Sequence, residues 1–173
     1  KDAKEMQALI DEFLSFARSQ ADTGSNTERA DIWAIVEDVV LTINRNSGQV
    51  SFVKPERPLV LQLRPLAIRR ALENLIGNGL RYANMVTVSA NVYQTEAHVT
   101  VEDDGPGIPE DQIEEALKPF SRLDSARNQN RGSGVGLGLP IVADAAYVHG
   151  GKLELSKSRA LGGLKAVFII GLQ

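Results

Sequence analysis

Two asparagines four residues apart, Asn74 and Asn78, interrupt an apolar helical pattern of Ile68, Ala71, Leu72, Leu75, Ile76 and Gly79. That spacing puts both amides on one helix face. Asparagine is a poor helix-interior residue because its amide competes for backbone hydrogen bonds, so two on one face ask for a role. Either they satisfy buried backbone groups, or they offer an amide oxygen to Mg²⁺, which keeps several waters and takes few protein ligands. Tyr82 continues the stripe one turn later, with Arg81 beside it.

Further along, Asp103 and Asp104 end an apolar alternation and precede Gly105-Pro106-Gly107. Glycines let a backbone approach a flat ligand closely, and a carboxylate there can accept from an exocyclic ring amine such as that of adenine. The alternative is a turn with two solvated acids, since Asp-Gly and Pro-Gly are common turn chemistry. A glycine run from Gly132 to Leu139 opens a helical pattern. Unpaired amides and the positive dipole end make such a start a phosphate site; a ligand-free hinge is the alternative. The run is neither a Walker loop nor a dinucleotide fingerprint, because no Gly-Lys-Ser/Thr follows and the spacing and preceding element differ. Lys118-Pro119-Phe120 lies between as a hinged cover. In this order the four segments supply the parts needed to hold a magnesium-bound purine triphosphate.

The elements that must position them follow from periodicity. Met6, Leu9, Ile10, Phe13, Leu14 and Ala17 form an apolar stripe at helical spacing. A lone helix of this length is marginal in water, so the stripe wants a partner, either this domain or an inter-subunit bundle; the bundle is the favoured expectation. Residues 21–28 are polar and turn-rich and read as a linker. Asp31 is a plausible N-cap for a helix over 32–44. Short strands are expected at 50–53 and 59–63, with 54–58 as the turn. Pro65 suits the first turn of a helix to about Tyr82. Alternation at Val86 and Val88, then at Ala97, Val99 and Val101, predicts two strands joined near Gln94-Thr95. Pattern is weak from Gly105 to Ser133 except for a short helix over 109–117. A helix over 137–148 and strands at 153–155 and 165–170 close the chain. The sum is an α+β fold, a two-layer sandwich with a mixed sheet of about five strands covered on one face by three helices.

Bulk composition narrows the function classes. With 43% hydrophobic and 24% charged residues in 173, the chain can build a core. The net charge is −3, which leaves no global basic field for nucleic acid or an anionic membrane. Zero Cys excludes disulfides, thiolate catalysis and Cys-ligated zinc. Apolar runs such as Ala166 to Ile170 are far short of a membrane span.

On these residues the chain resembles the catalytic ATP-binding domain of sensor histidine kinases, of the Bergerat-type (GHKL) ATPase superfamily shared with heat-shock chaperones, gyrase and mismatch-repair ATPases. Residues 70–82 resemble the N box, Val101 to Ile108 the first glycine box, and Lys118 to Arg127 the F box. Residues 134–142 resemble the second glycine box, and Gly162-Gly163-Leu164 the closing glycine motif. The Leu123-Asp124-Ser125-Ala126-Arg127 stretch is most similar to EnvZ-type osmosensor kinases. The resemblance covers about residues 30–172.

It implies ATP and Mg²⁺ as cofactors, with Asn78 as metal ligand and Asn74 nearby. Arg81 would approach the phosphates, Tyr82 would flank the purine, and Asp103 would read its amine. Gly105, Gly107 and Ile108 would begin the lid and Phe120 would anchor it. Gly134, Val135, Gly136, Leu137, Gly138 and Leu139 would wrap the triphosphate, and Arg122 or Arg127 would meet the γ-phosphate as the catalytic arginine.

Relatives that hydrolyse ATP carry a Glu where this chain has Asn74, which cannot take a proton at neutral pH. Glu73 lies about 100° round the helix. ATP is therefore expected to be held for transfer rather than hydrolysed. Gly79 departs from the usual Ala and costs about 1 kcal/mol of helix propensity.

A sensor kinase also needs an acceptor His in a His-Glu/Asp-x-x-x-Pro type segment, and neither His98 nor His149 lies in one. His149, at a helix end, sits where a cation suits the dipole. The expected division is 1–20 as part of the second dimerisation helix, 21–30 as linker and 31–173 as the catalytic domain. The implied partners are the phosphoacceptor hairpin of a homodimer and a response regulator receiver domain. Neither nucleic acid nor direct membrane contact is expected, and the full-length protein would be anchored in the inner membrane with this lobe in the cytoplasm. The rival readings are a related Ser kinase or ATPase, and a non-catalytic nucleotide-binding regulatory lobe.

Overall fold

The computed structural model describes residues 2–21, 27–46, 48–118 and 138–172. Period-two alternation builds its main sheet. Strands β4 (Val86–Val92) and β5 (Glu96–Asp103) pair antiparallel, with Val86 opposite Asp103. On β5, Ala97, Val99, Val101 and Asp103 point to one side and His98 and Glu102 to the other. Strands β2 (Val50–Phe52), β6 (Leu153–Lys157) and β7 (Leu164–Gly171) complete a five-stranded mixed sheet in the order β2-β4-β5-β7-β6. Among the described residues only β2 and β4 run parallel.

Helices α2 (Ile32–Asn44), α3 (Pro65–Tyr82) and α5 (Gly138–Val148) cover the side to which Val99, Val101, Ala166 and Phe168 point. Fully buried Trp33, Ile68, Leu72, Ile76 and Phe168 join the layers, each contributing about 1.5–3 kcal/mol of burial. Between β5 and α5, a 3₁₀ turn (Glu110–Gln112) leads into α4 (Ile113–Ala116).

Asp31 caps α2 as expected: its Oδ1 accepts the Trp33 amide at 3.1 Å and also that of Leu59 at 3.0 Å. The same residue ends β1 (Glu28–Asp31), which pairs antiparallel with β3 (Val60–Leu63) in a separate two-stranded sheet. The strand therefore begins inside residues 21–30, whose polar composition reads as linker. A half-exposed ribbon shows no apolar alternation, so periodicity misses it. The turn at 54–58 closes no hairpin: β2 and β3 belong to different sheets.

Helix α1 (Asp2–Ala21) approaches α5. Its stripe stays open all the same, with Met6 63%, Ile10 46%, Phe13 53% and Leu14 42% exposed.

Candidate functional site

Alternation puts Asp103, last on β5, on the helix-covered side, where it is 6% exposed. A carboxylate so placed is costly unless hydrogen-bonded. Its Oδ1 accepts the backbone N–H groups of Gly105 at 2.9 Å and Leu164 at 3.1 Å, and its main-chain carbonyl accepts that of Gly163 at 3.0 Å. Among the described residues both side-chain bonds fall on Oδ1. Oδ2 is turned toward α3: a Cβ on Gly79 would stand 3.6 Å from it. Burial pushes the carboxyl above its ordinary value, while the Leu164 and Gly105 amides pull it back in part. Glycine makes the cradle possible. A methyl on Gly163 would overlap Asp103 Oδ1, and one on Gly105 would stand 2.7 Å from the Tyr82 carbonyl oxygen.

Asp104, the neighbouring acid, does a different job. It is exposed, and its Oδ1 accepts the amides of Met85 at 2.9 Å and Asn84 at 2.8 Å. These bonds hold its carboxyl below the usual value and fasten the turn between α3 and β4. The two adjacent acids are thus one buried carboxylate and one surface fastener.

The amides lie half-buried on α3. Asn74 Nδ2 donates to the Arg70 carbonyl one turn back at 2.8 Å, so the backbone-satisfying alternative holds for that half of the Asn74 amide. Its Oδ1 points to the first turn of α5: a Cβ on Gly138 would stand 3.7 Å away. At the far end of the same two helices, His149 Nε2 accepts the Arg64 backbone N–H at 3.0 Å, and Nδ1 donates to the Ala145 carbonyl at 2.7 Å. Helices α3 and α5 are thus antiparallel neighbours touching near both ends. The N-cap of α3 has no side-chain cap of its own; His149 satisfies its amide from across the structure.

That geometry corrects the expectation of a cationic His149. Nε2 must be bare to accept, so the ring is neutral. Burial lowers its pKa first, the Ala145 bond raises it, and the Arg64 charge lowers it further.

Of the residues singled out by pattern, the structure brings Asn74 to Gly138, Asp103 to Gly105, and Gly107 to the Gly163 backbone beside Asp103, while Asn78 is half-buried on α3 next to Gly79. Tyr82 is half-buried against Gly105, and Ile108 is half-buried against the core. Leu139 is buried and Arg81 exposed. Phe120, Arg122, Arg127, Gly134, Val135, Gly136 and Leu137 lie outside the described residues.

Among the described residues no group of three His, Asp or Glu could hold a metal ion. A cation here would rest on amide oxygen, ligand phosphates and water, which suits Mg²⁺. Pattern reading missed Glu102 and the fully buried Ser158, whose hydroxyl donates to Glu102 Oε2 at 2.7 Å. Continuing the alternation of Val99 and Val101 would have separated inward Asp103 from outward Glu102. Nothing local marks Ser158, which stands between Lys157 and Arg159.

Known proteins share this chain's sequence pattern and fold. Residues 64–173 match the family described as histidine kinase-, DNA gyrase B- and HSP90-like ATPase. The sensor histidine kinase CpxA of Escherichia coli is 34% identical over 176 residues, covering 99% of this chain and 38% of that protein. The chain thus spans well under half of that relative. The histidine kinase domain of the E. coli osmosensor EnvZ superposes with a TM-score of 0.66 at 34% identity, over 87% of this chain and 91% of that one. The ATP-binding domain of PrrB from Mycobacterium tuberculosis gives a TM-score of 0.69 at 26% identity, over 86% of this chain and all of its own. The chain belongs to the histidine kinase-, DNA gyrase B- and HSP90-like ATPase family, as a catalytic ATP-binding domain of the sensor histidine kinase type.

Proposed function

We propose that this domain holds Mg-ATP between α3 and α5 and donates its γ-phosphoryl group to a histidine on the dimerisation hairpin of the full-length protein. The bond from the γ-phosphorus to the bridging oxygen breaks, ADP leaves, and a phosphorus–nitrogen bond forms on the imidazole. Transfer to an Asp of a response regulator receiver domain would follow. Residues 1–20 would be the end of the second hairpin helix, with the full-length protein anchored in the inner membrane and this lobe in the cytoplasm.

The observation that carries this reading is the Asp103 carboxylate, buried yet bonded only through Oδ1 among the described residues. Its Oδ2 would accept the adenine 6-amino group. The Asn78 amide oxygen would ligate Mg²⁺, which neutralises phosphate charge when bound, and Asn74 would border it. Arg81 would reach the phosphates and Tyr82 would flank the purine. Gly105, Gly107 and Ile108 would start the lid anchored by Phe120, with Gly134, Val135, Gly136, Leu137, Gly138 and Leu139 around the triphosphate. Arg122 or Arg127 would meet the γ-phosphate.

Transfer is favoured over hydrolysis by Asn74, whose amide is fastened to the Arg70 carbonyl and cannot serve as a base for water. Both imidazoles of this chain are already engaged, His149 with Arg64 and Ala145 and His98 with Glu96. Incubation of the chain with labelled ATP and a separately made hairpin from the same protein tests the reading. Acid-labile, base-stable label on the hairpin is the expected result. Free phosphate alone would favour an ATPase, and bound but untransformed ATP a regulatory lobe.

A further inference from the structure

Two adjacent acids grip one turn from opposite faces of the sheet. The turn joins β6 to β7, over residues 158–163. It is closed by the Ser158 amide on the Gly163 carbonyl at 2.7 Å and the Gly162 amide on the Ser158 carbonyl at 2.8 Å. From the helix-covered face, Asp103 receives the amides of Gly163 and Leu164 at its carbonyl and Oδ1. On the outer face Glu102 Oε2 accepts the Ser158 hydroxyl at 2.7 Å, a length typical of a charge-assisted bond. The same hydroxyl oxygen accepts the Leu161 amide at 3.0 Å, and Ser158 is fully buried.

We propose that Ser158 and Glu102 are positioning residues for base recognition, holding the turn so that its Leu164 amide keeps Asp103 Oδ1 occupied and Oδ2 aimed at the 6-amino group of adenine. This rests on the proposed reading of Asp103. A carboxylate rotates about its last bond with little resistance, so its aim is set by whichever oxygen is pinned. One pin, Gly105, lies two residues along the same chain. The other, Leu164, arrives on a separate strand, and its place depends on the turn. Without the Ser158 hydroxyl, Leu161 loses its acceptor and Glu102 its donor, and the turn is free to lift from Asp103. The Leu164 amide lowers the Asp103 pKa, so its withdrawal moves the carboxyl further up.

The test measures affinity of the chain for Mg-ATP and for the magnesium complex of purine riboside 5′-triphosphate, which lacks only the 6-amino group. Ser158→Ala and Glu102→Ala are expected to weaken ATP about fivefold to tenfold, the scale of one ordinary hydrogen bond. The analogue should change less than about twofold, so that the preference for the amine shrinks, and Glu102→Gln, which keeps an acceptor oxygen, should restore it. The pH at which ATP binding is lost to protonation should also rise in the two alanine variants. Should Ser158→Ala fail to fold, the two Glu102 variants give the same answer from the solvent side.

If the alanine variants lower the melting temperature but leave the ATP-to-analogue ratio intact, the pair is structural only and the proposal is overturned. If the unaltered chain shows no preference for ATP over the analogue, the base-reading assignment of Asp103 fails, and this proposal with it.

Discussion

The two ends of the candidate site are built on different physical terms. At the Asp103 end, amides from the loop after β5 and from the first residue of β7 converge on one carboxylate oxygen, and glycines at 105 and 163 let them come that close. At the amide end, Asn74 and Asn78 are side chains on one helix, with Asn74 tied to its own previous turn and their distance to α5 set by helix packing. Backbone donors are fixed by the fold, so the first end is stiff and suited to choosing among rings. The second inherits its geometry from the spacing of α3 and α5, which His149 clasps at the far end, and suits a ligand bound through charge. Fold and recognition should therefore separate cleanly at Asp103 and only partly at the helix pair.

The sharpest way to break that contrast is Asp103→Asn. The amide oxygen can still accept from Gly105 and Leu164, but an NH₂ replaces Oδ2 and faces a donor. ATP binding should weaken about 10- to 100-fold, the loss of a charge-assisted bond plus an opposed donor. Stability should behave in the opposite sense. A carboxyl whose folded pKa is raised loses stability as pH climbs from its unfolded value through the folded one. At neutral pH the asparagine variant should melt at or above the parent temperature, and the two should converge near pH 3.8, the ordinary value. Titration calorimetry with thermal melts across pH checks both; a variant that loses fold and affinity together would erase the distinction.

At the amide end, Asn78→Ala should abolish most of the Mg²⁺ dependence of ATP affinity, about tenfold for the loss of a metal ligand. Asn74→Ala should keep that dependence and cost about 1 kcal/mol of stability through the lost bond to Arg70. Affinity measured with and without Mg²⁺ separates them; the reverse assignment would show Asn74 as the ligand.

The smallest effect on nucleotide affinity concerns the clasp, which acts on stability. His149 has a folded pKa below its unfolded value of 6.5, so its contribution is complete above that value and is lost as pH falls from there through the lowered one. Melting temperature should decline over that acidic range. In His149→Ala this component should vanish, and at neutral pH the two lost hydrogen bonds should cost about 1 kcal/mol each. A parent chain with no such decline would mean that His149 does not fasten the helices in neutral form.

Much of this was legible from residue order. The helix over 65–82, the cap at Asp31 and the strand alternation around Val99 and Val101 all followed from spacing, because burial on one face imposes a period. The family followed from four motifs in sequence. What stayed hidden depends on contacts distant along the chain. Strand β1 is polar because its ribbon is half exposed, and no local rule could send β2 and β3 to different sheets. Nor could any local rule fix which Asp103 oxygen the distant Leu164 amide would pin, or make His149 an acceptor when a helix end favours a cation.

By itself the sequence determined the layers, the order of the elements and the chemical types available at the site, since these depend on periodicity and short-range backbone preference. Only the tertiary structure decided which oxygen of the buried carboxylate is pinned, and that Ser158 meets Glu102 on the other face. Those outcomes depend on amides delivered by strands some sixty residues apart, Asp103 and Leu164, and no local pattern encodes where a distant N–H will arrive.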